Sequence, residues 1–383
     1  MRVWRRMVCV GCGLAVMNAA PMRTQSAQTA AKTESARSVW KAKEISFRDA
    51  KPVVGLPEIH PSSPIVASME GSVFITLYSD PNLPNPAEVY SVSPDGEVKH
   101  LLRSMPKTDF AHVWDIDSFV TAHEYVTLIG AGIYENPDKG LQLKETQYFL
   151  SLTELDGGEG KLLKLDVKFK PLKIAMFDSG GYLLLGWDEA NLMPELALLK
   201  DDGTLRRFVD LDSRANDGGL DVLSVKGAAK PETLQLLERA RFSQFGKDVL
   251  LAQPGAAAPV HDLTAFGEDR KIPVSYPTGW VMHDVLAGPG QWTMVVRMQP
   301  ARTGKDSPEG NYGRLFEVDV AHGSLVRELT FATPSVTDVT CAPTGKIAAM
   351  YLRPVADASQ PAVGLDGKKP EQKLELVVAT APR

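Results

Sequence analysis

One pattern recurs along this chain at even spacing: a short turn, then a run of apolar and β-branched residues. Glu70-Gly71 precedes VFITLY, His123-Glu124 precedes YVTLIGAGI, and Gly180-Gly181 precedes YLLLGW. Gly246-Lys247 then precedes DVLLA, Gly290-Gln291 precedes WTMVV, and Gly345-Lys346 opens KIAAMYL. From Gly71 to Gly345 the pattern advances by about 55 residues per step, near the spacing of propeller blades. A second turn follows in each of the first five repeats: Pro94-Asp95-Gly96, Asp156-Gly157-Gly158, Asp202-Gly203, Phe266-Gly267 and His322-Gly323. Two hairpins per repeat make four strands, which is one blade.

The apolar pattern separates inner from outer strands. Tyr182–Trp187 and Trp292–Val296 are nearly continuous apolar runs, as expected where both faces are covered. Leu315–Val320 alternates, as expected where one face meets water. The sixth repeat lacks a strand, since only Lys373–Ala379 follows its long loop. The strand-like segment Lys41–Phe47 has no partner near it and is expected to pair with Lys373–Ala379, closing the ring and removing an exposed edge. The expected fold is therefore all-β: a six-bladed β-propeller with four antiparallel strands per blade, its last blade closed by the N-terminal strand.

Val339-Thr340-Cys341-Ala342-Pro343-Thr344-Gly345-Lys346 resembles the common propeller start in which Pro-Asp-Gly turns between the first two strands, with Thr344 in place of Asp. At this level, repeat length and turn placement, residues 40–383 resemble the six-bladed propellers of the NHL and TolB families. The resemblance implies the fold and carries over no functional residue.

The N-terminus has a different composition. Arg2, Arg5 and Arg6 precede an apolar stretch from Met7 to Ala20, and small residues follow at Ala19-Ala20 and Ser26-Ala27. A positive start, a short apolar middle and small residues describe a secretory signal. Residues 1–27 are read as that signal, 28–39 as a disordered linker, and the protein as periplasmic or secreted, with no membrane span after signal removal. Cys9-Val10-Gly11-Cys12 departs from a lipoprotein box by a Cys where Leu is usual, so a lipid-anchored form is the minor alternative. Once Cys9 and Cys12 leave with the signal, Cys341 stands alone and no intramolecular disulfide can form. A formal charge of −5 offers no basic footprint for nucleic acid.

Strong catalytic motifs are absent. His123-Glu124 lacks the second His of a zincin, no Ser lies in a Gly-x-Ser-x-Gly elbow, and Gly345-Lys346 lacks the hydroxyl of a phosphate loop. Cys341, in an apolar strand, reads as a core residue. No catalytic residue, metal site or cofactor is expected. What remains is a set of polar residues five to eight positions before several first turns: Asp115, Asp117, Lys173, Arg241, His283, Asp284 and Asp338. Each lies on a strand expected to line the central channel, so together they are the candidate ligand-binding residues at its mouth. The bland alternative is that they bond to water, to neighbouring blades and to exposed backbone.

Long connections (Ser213–Thr233, Glu135–Glu145, Pro300–Asn311 and Pro354–Gln372) are expected on the same face, and the opposite face is expected to carry only short turns. A short helix at the end of the first of these would place Leu234 and Leu237 on one side. The chain reads as a monomeric module binding a protein, peptide or glycan. The alternative is a channel-mouth enzyme resembling the metal-dependent lactonases of other six-bladed propellers. Lys173 and Arg241 among the acids disfavour a divalent cation there.

Overall fold

A computed structural model describes residues 43–45, 51–56, 64–77, 88–106, 112–134, 143–156, 158, 160–209, 234, 237–253, 259–274, 280–288, 293–300, 314–331, 336–354 and 372–380. The expected signal and linker, residues 1–39, lie outside them, as do nearly all of the long connections. The chain divides into two compact units, Met1–Trp40 and Lys41–Arg383, and every described strand belongs to the second.

Two short N-terminal strands, β1 (Lys43–Ile45) and β2 (Lys51–Pro52), precede the repeats. The first sheet comprises β3 (Val66–Ala67), β4 (Val73–Leu77), β5 (Glu88–Val92) and β6 (Val98–Leu101). The second holds β7 (His112–Val120), β8 (Glu124–Tyr134), β9 (Leu143–Glu154) and β10 (Lys161–Leu165). The third is β11 (Lys170–Met176), β12 (Tyr182–Asp188), β13 (Met193–Leu199) and β14 (Leu205–Phe208). The fourth is β15 (Arg241–Phe245), β16 (Asp248–Ala252), β17 (Val260–Leu263) and β18 (Asp269–Ile272). The fifth is β19 (Trp280–Ala287), β20 (Thr293–Pro300), β21 (Arg314–Asp319) and β22 (Leu325–Phe331), to which β1 adds. The last contains β23 (Val336–Cys341), β24 (Lys346–Pro354) and β25 (Gln372–Thr380), completed by β2.

Among the described residues the strands thus form six sheets, each built on an antiparallel meander from an inner to an outer strand, with β1 added in parallel to the fifth. Successive inner strands touch one another, from β3 through β7, β11, β15 and β19 to β23, and β23 touches β3 again. This is an all-β propeller with four antiparallel strands per blade. The turns form where the glycines stand. Gly71 and Gly345 adopt φ of 96° and 85°, and their N–H groups close tight turns onto the carbonyls of Ser68 and Ala342. A side chain at such a φ would be strained.

Burial follows the radial position of each strand. All five residues of β4 are buried, as are Tyr182–Trp187 of β12, because neighbouring sheets cover both faces. Outer β14 is exposed at every residue. The largest core cluster joins the second, third and fourth sheets through side chains such as Leu150, Ile174, Leu184 and Val249. Leu237 is fully buried in it and Leu234 packs against it, with the Glu238 N–H donating to the Leu234 carbonyl at 3.0 Å. The expected helical turn is therefore present at that point. Cys341 is buried among Leu286, Val339 and Ile347, as a core residue.

The closure differs from the sequence expectation. The described part of Lys41–Phe47, residues 43–45, does not pair with Lys373–Ala379. This segment, β1, runs parallel to β22, with Lys43 opposite Leu329 and Ile45 opposite Phe331. Closure falls instead to β2, where Lys51 pairs with Val378 and Pro52 with Val377, and the Val53 N–H donates to the Leu376 carbonyl. Val53 and Leu56 pack onto Ile65, Ile75 and Leu376. Pro52 has no N–H and is tolerated only on an edge strand, and β2 is one. No helix among the described residues is long and apolar enough to cross a membrane.

Candidate functional site

The inner strands share one irregularity. The register slips between Asp115 and Asp117 in β7, Pro171 and Lys173 in β11, Met282 and Asp284 in β19, and Val336 and Asp338 in β23. In each strand the residue just after the slip is charged. A β-bulge bends its strand and re-aims the next side chain, and four sheets use this device at equivalent positions. Arg241, by contrast, opens β15 opposite Ala252 with no slip.

Three bulged strands and the start of β15 bring Asp117, Lys173, Asp338 and Arg241 together. Asp117, 6 % exposed, accepts the Ile174 N–H of the next inner strand at 3.1 Å, and the Lys173 ammonium stands 3.7 Å from its other oxygen. Asp338, on the last inner strand, acts in the same way. It accepts the Ile65 N–H at 2.9 Å and its own neighbour Val339 N–H at 2.8 Å. Inner strands are sheet edges, and edge N–H groups away from water need acceptors. These aspartates supply them.

Arg241 reaches across the ring. From the fourth sheet its Nη1 donates to Asp338 of the last at 3.2 Å, and its Nη2 donates to the Ile65 carbonyl beside the first at 2.9 Å. Arg297 of β20 lies 4.0 Å from the same Asp338 carboxylate. Burial raises the carboxyl of Asp117 above the usual range; Lys173, the Ile174 N–H, Arg241 and the Ser118 N–H partly offset the rise.

Asp115 does not join them. It is almost fully buried and forms a two-pronged ion pair with Arg103, which follows β6. His283 is the unpaired residue of the β19 bulge and Asp284 stands in register with Arg297, while the side chains of both lie outside the described residues.

Arg297 was missed in the sequence. Its one available signal was a single charge inside the apolar run from Thr293 to Met298. Asp178 was missed too. It accepts the Ala122 N–H at 3.2 Å and the Gln244 side-chain amide at 2.9 Å, tying the second, third and fourth sheets together. Among the described residues no three His, Cys, Asp or Glu side chains are placed to hold a metal ion.

A cavity of about 760 Å³ lies elsewhere, between the first and second sheets on the face of the short turns. That face was expected to offer little to a partner. The turns themselves are short, but where Ser68–Ser72 and Ala122–Glu124 stand apart, a space opens above the packed strands.

No family model matches this chain, and no curated protein matches its sequence. Solved structures do. A calcium-binding protein, regucalcin, from Agrobacterium tumefaciens strain C58 matches at 10% identity and a TM-score of 0.43, covering 89% of this chain and 98% of that one. A chain of a mitotic checkpoint complex matches at 8% identity and a TM-score of 0.38, covering 88% of this chain and 95% of that one.

Proposed function

We propose that this protein is an exported, non-enzymatic binding module: a six-bladed propeller of the NHL and TolB type that recognises a protein, peptide or glycan at its channel mouth. Six sheets in cyclic contact support the blade number. The arginine-led apolar N-terminus supports export, to the periplasm or beyond the cell.

The observation that carries the choice of binding over catalysis is the pairing at the channel. Each described carboxylate there already has a cation and a backbone N–H: Lys173 and Ile174 for Asp117, Arg241 and Ile65 for Asp338. Lactonase-like chemistry needs acids and amides free to converge on one ion. Compensated charges held by the scaffold suit the recognition of a polar surface instead.

The test is a pair of substitutions, Asp338→Asn and Arg241→Gln, in the mature protein. A partner recovered from the export compartment and then purified should lose at least about tenfold in affinity, with the melting temperature nearly kept. Unchanged affinity with a lowered melting temperature would make these residues structural and remove the reading.

A further inference from the structure

We infer that the cavity between the first and second sheets is a second binding site, built for a short neutral oligosaccharide. It lies on the opposite face from the channel mouth proposed above and does not depend on that reading. Its volume, about 760 Å³, falls within the range of sites that enclose small ligands.

The lining decides the chemistry. Four hydroxyls come from one sheet: Ser68, Ser72, Ser91 and Ser93. Ser68 is 4 % exposed, and its Oγ accepts the Ser72 N–H at 3.3 Å. Ser93 Oγ likewise accepts the N–H groups of Asp95 and Glu97. Both hydroxyls therefore act as acceptors toward the protein, and among the described residues their own hydrogens have no acceptor. Ser72 and Ser91 make no side-chain hydrogen bond to any described residue. A hydroxyl offers one donor and two acceptor positions, so this wall presents a dense array of donors and acceptors to the cavity.

Deeper in the same seam the wall is closed. Phe74, which lines the cavity, stacks on Tyr125 at 5.5 Å, and the Tyr125 hydroxyl bonds Thr76 at 2.6 Å. Thr153 stands directly opposite Tyr125 in the ladder and does not itself line the cavity. It is 1 % exposed, and its hydroxyl has no partner among the described residues. The hydroxyls within reach of a ligand are therefore those of the serine wall, and a row of them beside carboxylates suits a ligand rich in hydroxyl groups.

Charge narrows the class. Glu70 and Glu97 face the cavity from the first sheet; Glu124, Glu154 and Asp156 border it from the second. The one lysine, Lys99, donates to the Leu155 carbonyl. Carboxylates accept from ligand hydroxyls and repel anions, so acidic sugars and phosphates are disfavoured. The acids do not gather into a metal site among the described residues. Large apolar anchors, which peptide grooves require, are few: Phe74 is 2 % exposed, and besides it only the half-buried Val98 and Leu155 and the small Ala122 bring apolar side chains to the lining.

The test uses the mature protein, fluorescently labelled, on a printed array of neutral and acidic oligosaccharides, followed by calorimetric titration of the best neutral binder and of trigalacturonate. Neutral binding is expected, weakened at least about tenfold by Ser91→Val and by Glu70→Gln, with the melting temperature kept. Arg241→Gln at the channel should leave it unchanged, so failure here is separable from failure of the channel reading. An array with no neutral binder overturns the inference. Affinity insensitive to both cavity substitutions, or trigalacturonate binding as tightly, overturns it as well.

Discussion

Removing residues 1–56 should destabilise the propeller where removing residues 1–50 does little. The shorter deletion takes β1, a three-residue parallel addition to the outer edge of the fifth sheet. The longer one also takes β2, which pairs at Lys51 and Pro52, adds the Val53 N–H to Leu376 bond, and lays Val53 and Leu56 on the Ile65–Leu376 cluster. Backbone hydrogen bonds contribute about 1 kcal/mol each, and half-burying two aliphatic side chains contributes roughly 1 kcal/mol apiece. The gross interaction is about 5 kcal/mol, and the chain entropy recovered by the freed segment offsets some of it. A net loss of roughly 2–3 kcal/mol should lower the urea midpoint by about 0.5–1 M. The assay is equilibrium urea unfolding of the mature protein and the two truncations, followed by fluorescence and circular dichroism together. If the chain beginning at residue 57 unfolded at the same urea concentration as the one beginning at residue 51, closure by β2 would be wrong. A large loss already in the chain beginning at residue 51 would restore Lys41–Phe47 as the closing strand.

Two further predictions concern the interior. Burial raises the Asp117 carboxyl above its ordinary 3.8, so the folded chain holds that proton more tightly than the unfolded one. Its contribution is full below about pH 4 and is lost as pH rises through the folded value. Asp117→Asn removes the titration and keeps an acceptor for Ile174, so the variant should gain stability relative to the parent as pH rises above the ordinary carboxylate value. A difference that is flat or of opposite slope in paired denaturation curves would contradict this. In β12, a Cβ on Gly186 would collide with the Lys170 carbonyl and the Phe169 ring. Gly186→Ala should therefore cost about 1–3 kcal/mol by overpacking, seen as a melting temperature lower by a few degrees. An unchanged melt would mean that the two inner strands are further apart than described.

The bulges show why some of the candidate site was legible and some was not. That Asp117, Lys173 and Asp338 lie before a first turn is a matter of counting, and the count led to the channel. Asp115 satisfies the same count, yet the slip between it and Asp117 sends the two carboxylates to different partners, Arg103 for one and Lys173 for the other. A bulge is set by what the neighbouring strand can pair with, and a single strand's sequence carries little trace of it. Arg297 and Asp178 entered for a similar reason, since their roles rest on contacts with residues 41 and 66 positions away in the chain.

Local physics was enough to determine the strands, the turns and their grouping in fours, because glycine at positive φ and apolar runs act over a few residues. Strands covered on both faces, such as Tyr182–Trp187, also follow from hydrophobic pattern, whereas Leu315–Val320, read as meeting water on one face, is buried at every residue but Asp319. Tertiary structure decided everything that depends on which distant groups meet. It chose β2 rather than β1 to close the last sheet, because pairing requires a free edge and a matching core at once, and Val53 and Leu56 supply the core contact. It sent Arg241 across the channel to Ile65 and Asp338, a reach that exists only once the ring is closed. It also opened a hydroxyl-lined cavity between two sheets on the face of short turns, from serines whose spacing in the chain signals only turns.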